Sequence, residues 1–102
     1  MLNFASALTF ESLAGISAAD LLKAVNKSCA SGAAMHPEAL KAVVFRLTIL
    51  SRDLSLKQHE RDAAAEMASM LANAALKAYG SRSAFGSELL AGVQAIAGRS
   101  VA

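Results

Sequence analysis

Apolar residues recur at three- and four-residue spacing along most of the chain, the period of helices that bury one face. The stretch His36 to Leu54 carries the strongest version of this pattern. Wound at about 100° per residue, it places Ala39, Leu40, Val43, Val44, Leu47, Leu50 and Leu54 on one broad arc. Lys41, Thr48 and Arg52 form a narrow polar stripe, and Arg46 and Asp53 form a second one. Between the stripes lies another apolar strip, Ala42, Phe45 and Ile49. A helix that is apolar on two sides is either central in its own bundle or half-covered by another chain.

The flanking segments predict further helices. Residues 4–14 read as a short first one, with Asn3 or Thr9 as its cap and Gly15 as its end. Residues 18–30 follow a Ser17-Ala-Ala-Asp20 start that resembles a capping box. Their inner row is Ala18, Leu21, Leu22, Val25 and Cys29, which predicts a buried, inert thiol. Pro37 suits the first turn of the 37–54 helix, where its missing N–H costs nothing. Ser55-Leu-Lys-Gln58 has capping-box character, so a tight turn is expected at 53–55; one continuous helix over 37–79 is the alternative.

Residues 56–79 form the longest predicted helix. Leu56, Ala63, Met67, Met70, Leu71, Ala74 and Ala78 line its expected core face, and Asp62, Glu66, Ser69, Asn73 and Lys77 its solvated one. Ser87 is the expected cap of a last helix over 88–97, with Leu89, Leu90, Val93, Ile96 and Ala97 inward, Gly98 as its stop and a frayed tail beyond. The expected architecture is therefore all-α, a compact four- to five-helix bundle forming one domain over 1–102. The 37–54 helix is central and the 56–79 helix antiparallel beside it.

Composition sharpens this picture. Alanine supplies 24 of the 102 residues, against four Phe, one Tyr and no Trp. Alanine favours helix and lets helices approach closely, but it buries little area. That argues for modest stability as a monomer, or for added burial through association. The tetrapeptides at Leu22, Leu40 and Leu76 (Leu-Lys-Ala followed by Val or Tyr) lack matching flanks and the period of a helical repeat.

The formal net charge of +2 comes from intermixed acids and bases, not from a concentrated basic stripe. The 18–30 and 37–54 helices could mimic a helix-turn-helix. The second one, however, begins Ala39, Leu40, Ala42, Val43 and offers no base-reaching polar side chains. Nucleic acid is thus an unfavoured partner. The one route left open is weak regulation through Lys23, Lys27, Arg46 and Arg52.

The single cysteine fits a reducing compartment. The N-terminal residues lack the basic start of a secretory signal, and no apolar run reaches the ~20 residues of a membrane span. A cytoplasmic, membrane-free chain is expected. His36 and His59 have no ligand partners at metal-binding spacing, and no nucleophile–base pair stands out. Gly86 and Gly92 lack the strand and Gly-Lys-Ser/Thr of a phosphate loop.

No catalytic, cofactor or metal site is therefore expected. The expectation is a non-enzymatic protein–protein interaction module: a regulator, adaptor or inhibitor of the kind found among bacterial or phage accessory proteins. Its partner surface, for a homodimer or another protein, is expected at Ala42, Phe45, Arg46, Ile49 and Arg52.

Overall fold

The computed structural model describes residues 3–6, 8–32, 34–80 and 82–99. Five helices appear among them and no strand: α1 Phe10–Ala14, α2 Ala18–Ser31, α3 Pro37–Leu50, α4 Gln58–Tyr79 and α5 Ala84–Arg99. The all-α bundle expected from the periodicity is the fold.

Local chemistry sets most boundaries. Thr9, not Asn3, caps the first helix; its Oγ1 accepts the Ser12 N–H at 3.3 Å. Asn3 instead closes a turn, its Oδ1 accepting from Ala5 at 3.1 Å, so residues 4–6 are not helical. Phe4 is nevertheless buried, and its carbonyl accepts the His36 N–H at 2.7 Å, tying this arm to the start of α3. Ser17 caps α2 through Asp20 N at 3.2 Å, and Gly32 ends it at φ 71°, a left-handed conformation that favours glycine.

His36 caps α3 by accepting the Glu38 N–H on Nδ1 at 3.1 Å, with Pro37 in the first turn. The helix stops at Leu50, four residues before its expected end. Hydroxyl and carboxylate groups divert the backbone there. Ser51 Oγ donates to the Thr48 carbonyl at 2.6 Å, and Asp53 Oδ1 accepts both the Ser55 N–H (2.9 Å) and its Oγ (2.6 Å). The expected turn at 53–55 is present, and the continuous-helix alternative is excluded. Leu54, assigned to the core arc by its spacing, sits on that turn at 83% exposure.

Because Ser55 is held by Asp53, it does not start α4. The N-cap is Lys57, whose N–H donates to Glu60 Oε1 at 3.3 Å.

Helix α3 is the centre, packing against α1, α4 and α5. Leu40 shares a hollow with Leu71, Ala75 and Tyr79, while Thr48 and Ser51 share another with Gln58 and Arg61. The two helices therefore run antiparallel. Leu13, Leu21, Val25, Val43, Val44, Leu47 and Leu89 are the fully buried anchors of the core.

Further inward assignments, and the start of the last helix, are corrected. On α4 the buried residues are Ala64, Ala68, Leu71 and Ala75, whereas Ala63, Met70, Ala74 and Ala78 are exposed. The helix is turned by about one residue, roughly 100°. With alanine on every side its own pattern orients it weakly, and the small Ala64–Ala68–Ala75 row lets α3 come close. The polar row Asp62, Glu66, Ser69, Asn73 and Lys77 is exposed as expected.

Cys29 is exposed, not buried. It lies on the rim of a hollow whose α4 wall includes Ala74, Ala75 and Ala78, side chains too short to reach over it.

Finally, α5 begins at Ala84 and not after Ser87. Ser83 Oγ accepts from Gly86 N at 3.0 Å, and Phe85 packs on Tyr79 with centroids 4.9 Å apart, which secures the extra turn. Gly98 does not stop the helix, and Leu90 is exposed while Leu89 is buried. The side chain of Ala97 and the tail from Ser100 lie outside the described residues.

Candidate binding cleft

Helices α4 and α5 both pack on α3, and between them runs an open cleft of about 490 Å³. Its floor is α3, through Val44, Thr48 and Ser51. The α5 wall is apolar: Leu89, Leu90 and Val93. The α4 wall is built mainly from small side chains, Ala65, Ser69 and Ala72, and Leu76 closes the far end. A volume of this size falls within the range of ligand and anchor pockets.

The end nearest the α3–α4 turn is polar and carries Arg52, Gln58, Arg61 and Asp62. Arg61 Nη2 donates to Gln58 Oε1 at 2.8 Å, and Gln58 Nε2 donates to Asp62 Oδ1 at 2.8 Å. Arg61 Nε is buried and has no acceptor among the described residues. A buried donor without an acceptor costs free energy. Asp53 lies near enough to Arg46 and Arg61 to feel both charges. Its carboxyl is held below the usual range, first by the Ser55 hydroxyl, then by the Ser55 N–H, with the two arginines adding to this. Among the charged lining residues, Arg52 and Arg61 against Asp62 leave this end with one net positive charge (two minus one).

The five residues expected to bind a partner do not share one open face. Ala42 is buried. Phe45 is half-buried, and its ring lies against Gly92, so tightly that a methyl group there would collide with it. Helix α5 thus covers the outer strip at Phe45. Arg46 is half-buried and reaches the Ala14 carbonyl at 3.4 Å, near the end of α1. Ile49 is half-buried. Arg52 is exposed and is the member that lines the cleft.

Sequence reasoning missed Arg61, Ala65, Ser69, Ala72 and Leu90 as a group. A signal did exist. The cleft-lining positions of α4 (58, 61–62, 65, 68–69, 72–73 and 76) recur every three or four residues. Alanine and serine mask that stripe in a hydrophobicity pattern.

Smaller hollows lie among the described residues as well. One of about 310 Å³ lies under Phe45, beside Leu8, Thr9 and Phe10; another, of about 260 Å³, borders Cys29. Near the first, Lys41 bridges α3 to α5 through Glu88 at 2.8 Å and pairs with Glu38 at 3.3 Å. The Glu88 hydrogen bond raises the Lys41 pKa, against a smaller opposing effect of burial, and Glu38 raises it further.

Lys23 and Lys27 lie exposed on α2, Arg46 is on α3 and Arg52 is on the turn after it, so the basic residues considered for nucleic acid are spread over separate elements. Among the described residues, no group of three or more His, Cys, Asp or Glu is placed to hold a metal ion. Among the same residues, no helix is long and apolar enough to cross a membrane. Comparison with protein-family models, with curated proteins and with solved structures finds no match.

Proposed function

We propose that this chain is a small, non-enzymatic protein–protein interaction module of the cytoplasm, acting as a regulator, adaptor or inhibitor. The observation that carries the reading is the open cleft between α4 and α5. It is walled by apolar and small side chains and rimmed at one end by charged ones, the layout of an interface with an apolar centre and a polar edge. Leu90 stands 38% exposed on its wall, and Met70 and Tyr79 are also exposed large apolar groups on α4. The core beside the cleft is rich in alanine, so a partner seated there would add apolar burial that the chain alone lacks.

The reading is tested by site-specific photocrosslinking in cells that express the chain. A photoreactive residue at position 65, in the cleft, should give discrete protein adducts, and Leu90→Glu should abolish them. The same residue at position 23, on the exposed side of α2, should not give those adducts. If positions 65 and 23 yield the same background, the cleft is not a partner site.

A further inference from the structure

We propose that the occupant of the cleft is a single partner α-helix of about five turns, with acidic side chains at the end that meets Arg52 and Arg61. The proposal rests on the interaction-module reading and names the partner's chemistry.

Length comes first. The lining positions of α4 run from Gln58 to Leu76, about 27 Å at 1.5 Å per residue. The α4 side of the cleft thus extends along most of that helix, while the α5 wall, Leu89 to Val93, covers about 6 Å of it. Spacing comes second. The α4 positions facing the trough recur every three or four residues along that whole length, the row that one helix presents to a neighbour.

Width is the third argument. Ala65, Ser69 and Ala72 hold the α4 wall low, so an incoming backbone could approach closely while its apolar side chains met Leu76, Leu90 and Val93. Helices α4 and α5 already pack on α3 and touch each other. A helix laid in the trough would complete a four-helix arrangement around the α4–α5 gap, a helix-in-groove mode read by anchors at i, i+3 or i+4, and i+7.

Charge sets the direction of the partner helix. The turn end carries one net positive charge, Arg52 and Arg61 against Asp62. A guanidinium there is suited to a carboxylate. The opposite end, which closes on Leu76 and Leu89, is apolar. An extended nucleic acid would instead need positive charge along the whole trough.

The test uses the full chain and a displayed library of 18-residue helix-forming peptides, randomised on one face and at both ends. Enriched peptides should carry an apolar stripe at i, i+3 or i+4, and i+7, with Asp or Glu clustered at one end. They should bind the Ala65→Arg variant at least tenfold more weakly; Ala65 is exposed, so the fold tolerates the change. Arg61→Glu should weaken the acid-ended peptides severalfold and strengthen versions with Lys at that end. Circular dichroism melts verify that both variants remain folded.

The proposal is overturned if nothing enriches, if enriched peptides lack the stripe, or if they bind Ala65→Arg as well as the parent. It is also overturned if the charge swap has no reciprocal effect. A dimer in sedimentation that Ala65→Arg dissolves would assign the cleft to a second copy and overturn it as well. Position-65 adducts with a protein partner, together with a failed selection, would leave the module reading standing and remove only the helix.

Discussion

Helices α3 and α4 lie side by side, yet the protein treats them differently. Eight of the 14 residues of α3 are buried, against four of the 22 in α4. Helix α3 has α1, α4 and α5 around it, so even Ala42, between its polar stripes, and Thr48, within one of them, lie inside. Helix α4 presents one narrow alanine row to α3 and leaves its flank open along the cleft. Hydrophobicity marks the helix that others gather around. It does not show where a gap remains, because the gap depends on how far apart α4 and α5 stand on α3.

The largest effect should come from placing matched truncations on the two helices. Leu47→Ala, in the sealed interior of α3, should cost about 2–5 kcal/mol in denaturant unfolding. Leu76→Ala, half-buried on the cleft wall, should cost under about 1 kcal/mol, since little packed volume is lost. Equal losses at the two positions would show that the cleft is closed core, and the contrast would fail.

A smaller effect should appear where α5 covers α3. Gly92→Ala adds a methyl group against the Phe45 ring. Overpacking should cost about 1–3 kcal/mol, more than the ~1 kcal/mol of helix propensity that alanine restores. In a Phe45→Leu background the same change should become neutral or stabilising. A double-mutant cycle with no coupling would place the ring elsewhere.

The smallest effect concerns the polar link between α3 and α5. Lys41→Met removes the bridge to Glu88, whose side chain is 62% exposed, so the loss should stay within about 1 kcal/mol. The sign with pH follows from the raised Lys41 pKa. The contribution is fully present below the unfolded value of about 10.5 and is lost as pH rises through the higher folded value. The parent and Lys41→Met stability curves should therefore converge in strong alkali, and a gap that widens there would contradict the pairing.

Several assignments show where sequence legibility stopped. The Ser17 cap and the Pro37 start were legible because each depends on a few adjacent residues. Thr9 and Ser83 prevailed over Asn3 and Ser87 through contacts beyond the cap itself. Phe4 is drawn into the core by its bond to His36, and Phe85 is held by Tyr79. Leu54 and Cys29 fit an apolar period and still lie outside. The period describes which way a side chain points on an ideal helix, not whether another element covers that direction.

The sequence by itself determined the all-α class, the central place of the helix that starts at Pro37 and the turn at 53–55 that follows it. Each of these follows from local periodicity and from side chains that bond their own backbone. Only the tertiary structure decided the roll of α4, the covering of Phe45 by Gly92, and the gap between α4 and α5 that exposes Ala65 beside Arg61. Those features depend on distances between helices. An alanine-rich surface leaves such distances nearly unmarked in sequence, because a methyl group fits equally well against a neighbour or against solvent.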